Sequence, residues 1–517
     1  MSRRPPVALA VAAAAVVALV CLPLVYLIVR VAGGGADAFD VLGRPRTVEL
    51  VARTCGLVAA TTGAAVAIGV PAAWLVTRTD LPGRRLWTVL LALPLVIPSY
   101  VLALALIAAS GRGGLLGLPE ISGFAGALAA LTLATYPYVF LLTAAGLRRL
   151  DPSLEEAARS LGQTRARVLW RVTLPAVRPS IGAGALLVAL YALSDFGVVS
   201  LMRFDALTRV IFLQYRSLFD RTPAAVLGLV LVALTVMVLM LEARASGRLG
   251  QARVSPGAAR RATRVTLGAW TAPALAFCAA VVAVALVLPI VVVVWWTLRA
   301  PSFDAALDTL WEPALRTLLA AGLAAAAVTV AALPVALLAV RHPRRWTRLL
   351  ERGSFVSNAL PGVVVGLSLV FFAARYTPAL YGGLAILIAA YVVRFLPQGL
   401  SAIRAALERV DPRLEEAARG LGHGPASVLA RVTVPLVAPG LLAGAALAFL
   451  STMKELPATL LLRPIGFDTL ATEVWTATGV SAYSRAAVPA LALIVLAAPV
   501  MWLLVGRGGH GFDEIER

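Results

Sequence analysis

Long apolar stretches alternate with short polar connections along the whole chain. A membrane hydrocarbon core of about 30 Å is crossed by about 20 helical residues, and apolar stretches of that length recur from one end to the other. We predict twelve membrane-spanning helices, at residues 7–29, 52–76, 87–110, 124–147, 181–202, 224–241, 270–298, 314–340, 355–374, 380–400, 440–462 and 486–505. The pattern therefore predicts an all-α integral membrane protein embedded in a lipid bilayer.

One polar segment occurs twice. Residues 151–175 read DPSLEEAARSLGQTRARVLWRVTLP and residues 411–435 read DPRLEEAARGLGHGPASVLARVTVP, which agree at 17 of 25 positions with an offset of 411 − 151 = 260. The same offset pairs Asp195 with Glu455. Because six predicted spans precede each return to the same side, the duplication predicts two six-helix halves in the same orientation, a parallel repeat.

A basic polar segment separates the two halves. Residues 244–266 contain the run Ser-Pro-Gly among several arginines, a composition suited to a solvated linker beside the anionic inner leaflet of a membrane. We therefore assign residues 1–243 to the first transmembrane half and residues 267–517 to the second.

The charge distribution predicts the orientation in the membrane. Only 14% of the 517 residues are charged, yet the net charge is +20. The arginines concentrate in alternate connections, at residues 78–85, 148–178, 244–264, 341–352 and 404–431. By the positive-inside rule these connections and both termini are cytoplasmic, so the positive charge does not require nucleic acid as a partner.

Each copy of the repeat carries signals for a short helix outside the membrane. Asp151 can cap the helix, Pro152 suits its first position, and Gly162 can end it. The second copy repeats these signals over residues 411–422. A helix of about 15 Å is too short to span the bilayer and too charged for lipid, so we expect it to meet water or a protein partner.

These motifs resemble the EAA loop of the permeases of ABC importers: Glu-Ala-Ala, three residues, Gly, nine residues, then Val-Thr-Leu-Pro. The matching positions are Glu155, Glu156, Ala157, Ala158 and Gly162 in the first copy, and Glu415, Glu416, Ala417, Ala418 and Gly422 in the second. In that family the loop forms a coupling helix that docks on a cytoplasmic ATP-binding subunit. The resemblance implies a type I importer permease fold, both coupling helices, and two copies of the ATP-binding subunit.

The sequence also predicts where the energy comes from. A phosphate-binding P-loop needs a lysine directly after a glycine. The single lysine, Lys454, follows Met453, so we predict no Walker A motif, no catalytic residues and no enzymatic activity in this chain. ATP and Mg²⁺ would be used by a separate ATPase. The three histidines and three cysteines lack ligand spacing, so we predict no cofactor or metal site.

Ionisable residues inside predicted spans mark a candidate pathway. Asp195, Lys454 and Glu455 fall within apolar stretches, where charges are costly and usually face a cavity or a partner. We consider them candidates for the translocation pathway or gate. The alternative is a structural role in which Asp195 is satisfied by a hydroxyl group or an arginine.

The cargo rests on resemblance. Residues 194–212 and 453–475 are similar to those of fused ferric-iron import permeases, which implies iron delivered by an extracytoplasmic binding protein. Fused permeases for thiamine or phosphonate share this layout and remain alternatives. A further alternative is a secondary transporter, because residues 80–85 (DLPGRR) resemble a loop motif of the major facilitator superfamily.

Overall fold

The computed structural model describes residues 6–111, 114–117, 119–217, 222–248, 264–299 and 303–508. The helices of the first half are α1 (Val7–Ala32), α2 (Gly35–Gly43), α3 (Pro45–Arg78), α4 (Arg84–Ala92), α5 (Ser99–Ala109), α6 (Gly123–Arg149), α7 (Pro152–Ser160), α8 (Arg165–Val168), α9 (Leu174–Ser194), α10 (Gly197–Leu201), α11 (Leu207–Ser217) and α12 (Thr222–Arg248). Those of the second half are α13 (Thr271–Val282), α14 (Leu288–Leu298), α15 (Phe303–Arg341), α16 (Arg345–Ser354), α17 (Gly362–Tyr376), α18 (Leu384–Arg409), α19 (Pro412–Gly420), α20 (Pro425–Val428), α21 (Val434–Met453), α22 (Pro457–Leu462), α23 (Leu470–Gly479) and α24 (Tyr483–Gly508).

The all-α membrane fold is confirmed. Among the described residues, ten helices are long and apolar enough to cross a membrane, and two further bent helix pairs raise the number to twelve if each pair is one span. The sole β-type pairing in the same residues is an isolated bridge between Thr79 and Val265.

Two predicted spans are wrong as continuous helices. Residues 87–110 divide into a segment ending at Val96 and helix α5, which meet at an angle of 93°. The predicted span at residues 355–374 contains a second bend, because the segment Arg345–Ala359 meets Gly362–Tyr376 at an angle of 106°. Pro98 and Pro361 stand directly before α5 and α17, and proline lacks an N–H donor and disfavours a helical residue before it. Only α5 and α17, the segments after the bends, are largely buried.

The predicted spans at residues 181–202 and 440–462 are also misplaced. The long helices run instead from Ala166 to Ser194 and from Pro425 to Met453, so each begins outside the predicted hydrocarbon region. The first ends because Asp195 is extended and its side chain accepts the N–H of Val198, which starts α10 in a new direction. Such side-chain bonds to the backbone compete with helix continuation.

Three π turns within the described residues share one cause. They occupy Leu169–Thr173, Ala283–Val287 and Leu429–Thr433, and the prolines two positions beyond their ends are Pro175, Pro289 and Pro435. A proline cannot donate to the carbonyl four residues earlier and its ring crowds that carbonyl, so a wider turn relieves the clash. The proline that closes each Val-Thr-x-Pro motif therefore sets a bulge where α9 and α21 begin.

Small residues bring helices into close contact at equivalent places in the two halves. A Cβ atom added to Gly184 of α9 would lie 2.7 Å from the Cα of Val139 in α6. One added to Gly444 of α21 would lie 3.2 Å from the Cα of Gly399 in α18. Close backbone approach of this kind drives helix association where lipid supplies no hydrophobic force.

The two halves are interlocked. Helix α1 of the first half packs against α15, α16 and α17 of the second, and α14 of the second half packs against α5 of the first. A single core of buried side chains extends through both halves. Most of the predicted linker at residues 244–266 lies outside the described residues, namely residues 249–263. Val265, near the end of the linker, pairs with Thr79.

Candidate functional site

The two predicted short helices form at the expected positions. In α7, Asp151 accepts a hydrogen bond of 2.9 Å from the backbone N–H of Ser153, and this bond lowers the pKa of the Asp151 carboxyl below its usual value. In α19, Asp411 accepts a bond of 2.9 Å from the N–H of Arg413. Both carboxylates satisfy otherwise free donors at the positive end of a helix.

A glycine ends each short helix in a left-handed conformation. The φ angles are +80° at Gly162 and +86° at Gly422, and no atom lies within 4 Å of a Cβ built on either residue. The glycines are therefore required by the backbone turn, while the space around them is open.

The first glutamate of each copy points back towards the spanning helices. Glu155 accepts a 2.8 Å hydrogen bond from the hydroxyl of Thr173 and lies 3.6 Å from the guanidinium of Arg78. The Arg78 side chain is buried and also donates to the carbonyl of Leu147, at 2.8 Å. Glu155 thus joins α7 to the C-terminal ends of α3 and α6.

The second half repeats this anchor. Glu415 accepts hydrogen bonds of 3.1 Å from Thr433 and from Arg341, which also donates to the carbonyl of Val410. Arg419 approaches the other carboxylate oxygen at 3.3 Å. A buried carboxylate with this many partners holds α19 to the ends of α15 and α18.

The opposite face of each short helix is exposed and partly apolar. Leu161 and Leu421 are 82% and 81% exposed, and Leu154 and Leu414 about half exposed. Glu156 and Ala157 of α7 are exposed on this face, as are Glu416 and Ala417 of α19. Ala158 and Ala418 are buried beneath it. Large exposed leucines on a helix outside the membrane are typical of a protein-binding surface.

The sequence prediction missed the residues that anchor these helices. Two of them, Arg78 and Arg341, were treated only as charges in polar connections. The other two, Thr173 and Thr433, were treated only as positions of the repeated motif. Their spacing contained the signal, because the threonines are 260 residues apart and the arginines 263, the spacing of Pro98 and Pro361. A charged residue that recurs at the repeat offset indicates a shared contact rather than general sidedness.

Asp195 is buried and fully hydrogen-bonded. One carboxylate oxygen accepts a 2.6 Å bond from the hydroxyl of Ser99 in α5, and the other accepts the N–H of Val198 at 2.8 Å. The backbone carbonyl of Asp195 accepts a 2.8 Å bond from Thr208. In this conformation the Asp195 carboxylate is therefore satisfied by a hydroxyl group, as the alternative structural role predicted.

Glu455 has a different partner from its counterpart. It lies 3.6 Å from the guanidinium of Arg394, which donates to the carbonyl of Leu360 at 2.8 Å. A Cβ atom on Gly362 would stand 2.5 Å from the Glu455 carboxylate, so only glycine leaves room for it there.

Lys454 connects the two halves. Its ammonium group donates a 2.7 Å hydrogen bond to the carbonyl of Leu95, in the turn before Pro98. Nearby, Tyr100 packs against Gly197, and its buried hydroxyl has no hydrogen-bond partner in the described residues. The region where the two halves face each other therefore contains Asp195, Lys454 and Glu455, together with the bends at Pro98 and Pro361.

A cavity of about 220 Å³ lies between the halves on the side away from the short helices. Its lining combines charged Glu120 and Arg203 with aromatic Trp475 and Tyr483. Arg203 and Ser481, which both border it, are the two non-glycine residues of the described part with positive φ, at 54° and 60°. Strained backbone of this kind concentrates at functional positions.

The coupling and pathway candidates are separate sites. Asp195 follows the end of the helix Ala166–Ser194, whereas α7 precedes its start, so a helix of about 40 Å divides them. Within the described residues, no three His, Cys, Asp or Glu side chains come close enough to hold a metal ion.

Comparison with known proteins identifies relatives of the same architecture. Residues 65–251 and 328–505 each match the family described as "Binding-protein-dependent transport system inner membrane component". The chain is 31% identical to an Fe(3+)-transport system permease protein of Haemophilus influenzae, over 98% of this chain and 99% of that one.

Two other relatives match over shorter regions. A ferric transport system permease protein of Actinobacillus pleuropneumoniae is 26% identical over 72% of this chain and 58% of its own length. A probable molybdenum ABC transporter permease protein of Haloferax volcanii is 35% identical over 38% of this chain and 74% of its own length. The double match confirms the resemblance drawn from the EAA loops and favours it over a secondary transporter. The chain belongs to the family of binding-protein-dependent transport system inner membrane components, the permeases of ABC importers.

Proposed function

We propose that this permease imports ferric iron, delivered by an extracytoplasmic binding protein and driven by a separate ATPase. The observation that carries the coupling part is the pair of anchored helices α7 and α19. Each is fixed to spanning helices by its first glutamate and presents exposed leucines on its outer face. Each helix is rigidly connected to the spanning helices on one side and has an exposed apolar surface on the other. This arrangement suits transmission of movement from a bound partner protein to the spanning helices.

The two helices together suit two copies of the ATPase, one on each half. Glu156, Ala157, Glu416 and Ala417 would contact the ATPase, while Gly162 and Gly422 would shape the turn beside it. Glu155, Glu415, Ala158 and Ala418 would transmit the movement to the membrane helices. ATP and Mg²⁺ would bind to the ATPase, and this chain would hold no cofactor and no resident metal.

The arginine distribution supports cytoplasmic placement of α7, α19 and both termini. The same orientation puts the cavity near Arg203 and Trp475 at the extracytoplasmic face, where the binding protein would release its cargo. We retain residues 1–243 and 267–517 as the two transmembrane halves, joined by a cytoplasmic linker at residues 244–266.

Asp195, Lys454 and Glu455 would form the gate. The bond from Lys454 to Leu95 joins the halves, and its release would let the bends at Pro98 and Pro361 separate. The two carboxylates and the unpartnered hydroxyl of Tyr100 are hard oxygen donors, which suit transient contact with a ferric ion. The cluster holds as many positive as negative side chains when Arg394 is included, so it would not retain a cation tightly.

The iron assignment is supported by the Fe(3+)-transport permease that matches nearly the whole chain, whereas the molybdenum relative covers only 38% of it. The test is uptake into proteoliposomes that contain the permease, its ATPase and its binding protein. We expect radioactive ferric iron to accumulate with ATP, and molybdate, thiamine and phosphonate to leave that uptake unchanged. Accumulation of one of those solutes in place of iron would overturn the cargo assignment.

A further inference from the structure

Helix α16 carries a row of arginines that the transport mechanism does not use. Arg345, Arg348 and Arg352 are spaced three and four residues apart, which places them on one stripe of the helix, and all three are exposed. Together with Leu349 they line an open hollow of about 270 Å³. Like charges at this spacing repel each other, so an anion lying against the stripe would relieve this repulsion.

The protein supplies no such anion in the part of the chain that the structure describes. The single acidic residue of α16 is Glu351, whose side chain is 12% exposed and forms an ion pair with Arg404 of α18. Glu351 therefore faces the protein, and the arginine stripe faces outwards. No ion pair to Arg345, Arg348 or Arg352 occurs among the described residues.

The position of α16 identifies its surroundings. The angle of 106° to α17 turns α16 away from the direction of the spanning helix, as expected for a helix lying along the membrane surface. Leu349 is 71% exposed and Trp346 is 38% exposed, and tryptophan favours the boundary between lipid headgroups and acyl chains. The helix also meets α1, where a Cβ atom on Gly353 would lie 2.8 Å from Val17.

The equivalent helix of the first half lacks this feature. Helix α4 is bent by 93° from α5 in the same way, but its arginines, Arg84 and Arg85, are confined to the first turn. Beyond them its exposed face is apolar, with Leu86 and Val89 more than half exposed. The bend itself therefore does not require a row of arginines, and the stripe on α16 needs a separate explanation.

We propose that Arg345, Arg348 and Arg352 form a binding site for the headgroup of an anionic phospholipid. The guanidinium groups would hold the phosphate oxygens, and Leu349 and Trp346 would contact the acyl chains beside it. Basic residues beside membrane helices on the cytoplasmic side recognise anionic headgroups in this manner. A bound lipid would fix α16 against α1 and thereby hold the bend that leads to Pro361.

Native mass spectrometry of the purified, delipidated chain tests this proposal with phosphatidylglycerol as the probe and phosphatidylcholine as the zwitterionic comparison. We expect wild-type protein to bind phosphatidylglycerol preferentially, and R345Q/R348Q/R352Q to bind it roughly 10- to 100-fold more weakly, the loss of three surface cation contacts. The matched control, R149Q/R178Q/R409Q, removes three exposed arginines from α6, α9 and α18 and should retain the preference.

Further measurements keep the outcome decisive. R345K/R348K/R352K preserves the charge and should keep most of the binding, which separates loss of the site from misfolding. Equal loss of binding in the scattered control would overturn the proposal, as would unchanged binding in the glutamine variant. Tight binding of inorganic phosphate that displaces the lipid would assign the stripe to a soluble anion instead. Weaker ATPase binding by the glutamine variant with normal lipid binding would assign it to the partner protein.

Discussion

At the residue scale, two chemically similar glutamates in each EAA loop have different surroundings. Glu155 and Glu415 are paired with an arginine and a threonine of the membrane helices, whereas Glu156 and Glu416 are exposed. The sequence predicted that both pairs lie in short capped helices. The sequence could not show which glutamate of each pair faces the spanning helices. That depends on the positions of Arg78 and Arg341, which are distant in sequence and close in the folded chain.

Breaking one anchor tests this difference. In Glu415→Gln, Arg341 loses its charged partner while only 12% of its side chain is exposed, so we expect a loss of about 1–3 kcal/mol in stability and at least a roughly tenfold fall in uptake. Thermal unfolding in detergent and ATP-driven uptake measure the two effects. Glu408→Gln removes an exposed ion pair with Arg404 and serves as the control, with both quantities near wild type. Normal uptake by Glu415→Gln would contradict the anchoring role.

A second substitution separates a structural from a pathway role for Asp195. Asparagine keeps an oxygen acceptor for the N–H of Val198 and a polar contact to Ser99, but removes the charge. We expect Asp195→Asn to unfold at nearly the wild-type temperature and to transport at least about tenfold more slowly, since the charge is the property that a cation would sense. If uptake is retained in full, Asp195 is a helix-end residue and no part of the gate.

At the element scale, the prediction succeeded where local chemistry decides and failed where tertiary burial decides. The short helices Pro152–Ser160 and Pro412–Gly420 follow from their caps, prolines and glycines. The spans at residues 87–110 and 355–374 were read as straight because hydropathy measures burial and not direction. Pro98 and Pro361 signalled the bends, but similar prolines inside other helices, such as Pro137 and Pro397, do not break them.

The cap of α7 gives a prediction with a defined pH dependence. The pKa of Asp151 is lowered by its bond to Ser153, so the cap is fully present above the ordinary carboxyl pKa of about 4 and is lost as the pH falls through the lower folded-state value. We expect faster hydrogen exchange in α7 for Asp151→Ala at neutral pH, and near wild-type exchange for Asp151→Asn, which also caps. Equal protection in the alanine variant would show that the cap does not hold the helix.

The turn after each short helix, at Gly162 and Gly422, gives a further test of α7 and α19. Both glycines have positive φ, which asparagine tolerates and leucine does not, and the space beside them is open. We expect G162L/G422L to insert normally but to hydrolyse ATP through its partner without matching uptake. G162N/G422N should stay much closer to wild type. The ratio of cargo imported to ATP hydrolysed in proteoliposomes measures the effect, and an unchanged ratio in the leucine variant would argue against docking at this turn.

At the scale of the whole molecule, the repeat explains both the symmetry and its exceptions. The anchors Arg78 with Glu155 and Arg341 with Glu415 are equivalent. The surroundings of Asp195 and Glu455 are not equivalent, since Asp195 pairs with a serine and Glu455 with an arginine. Self-comparison of the sequence predicted the duplication and its orientation. It could not predict that α1 and α14 each pack on the opposite half. An apolar helix surface does not reveal from its sequence which other helix it contacts.

The central claim is that α7 and α19 receive the work of a separate ATPase. The most direct measurement is cargo uptake into proteoliposomes that contain the permease and its binding protein, compared with and without the ATPase, in the presence of ATP. We predict uptake only when the ATPase is present and hydrolysing ATP. Uptake at an undiminished rate in vesicles that lack the ATPase would contradict the account.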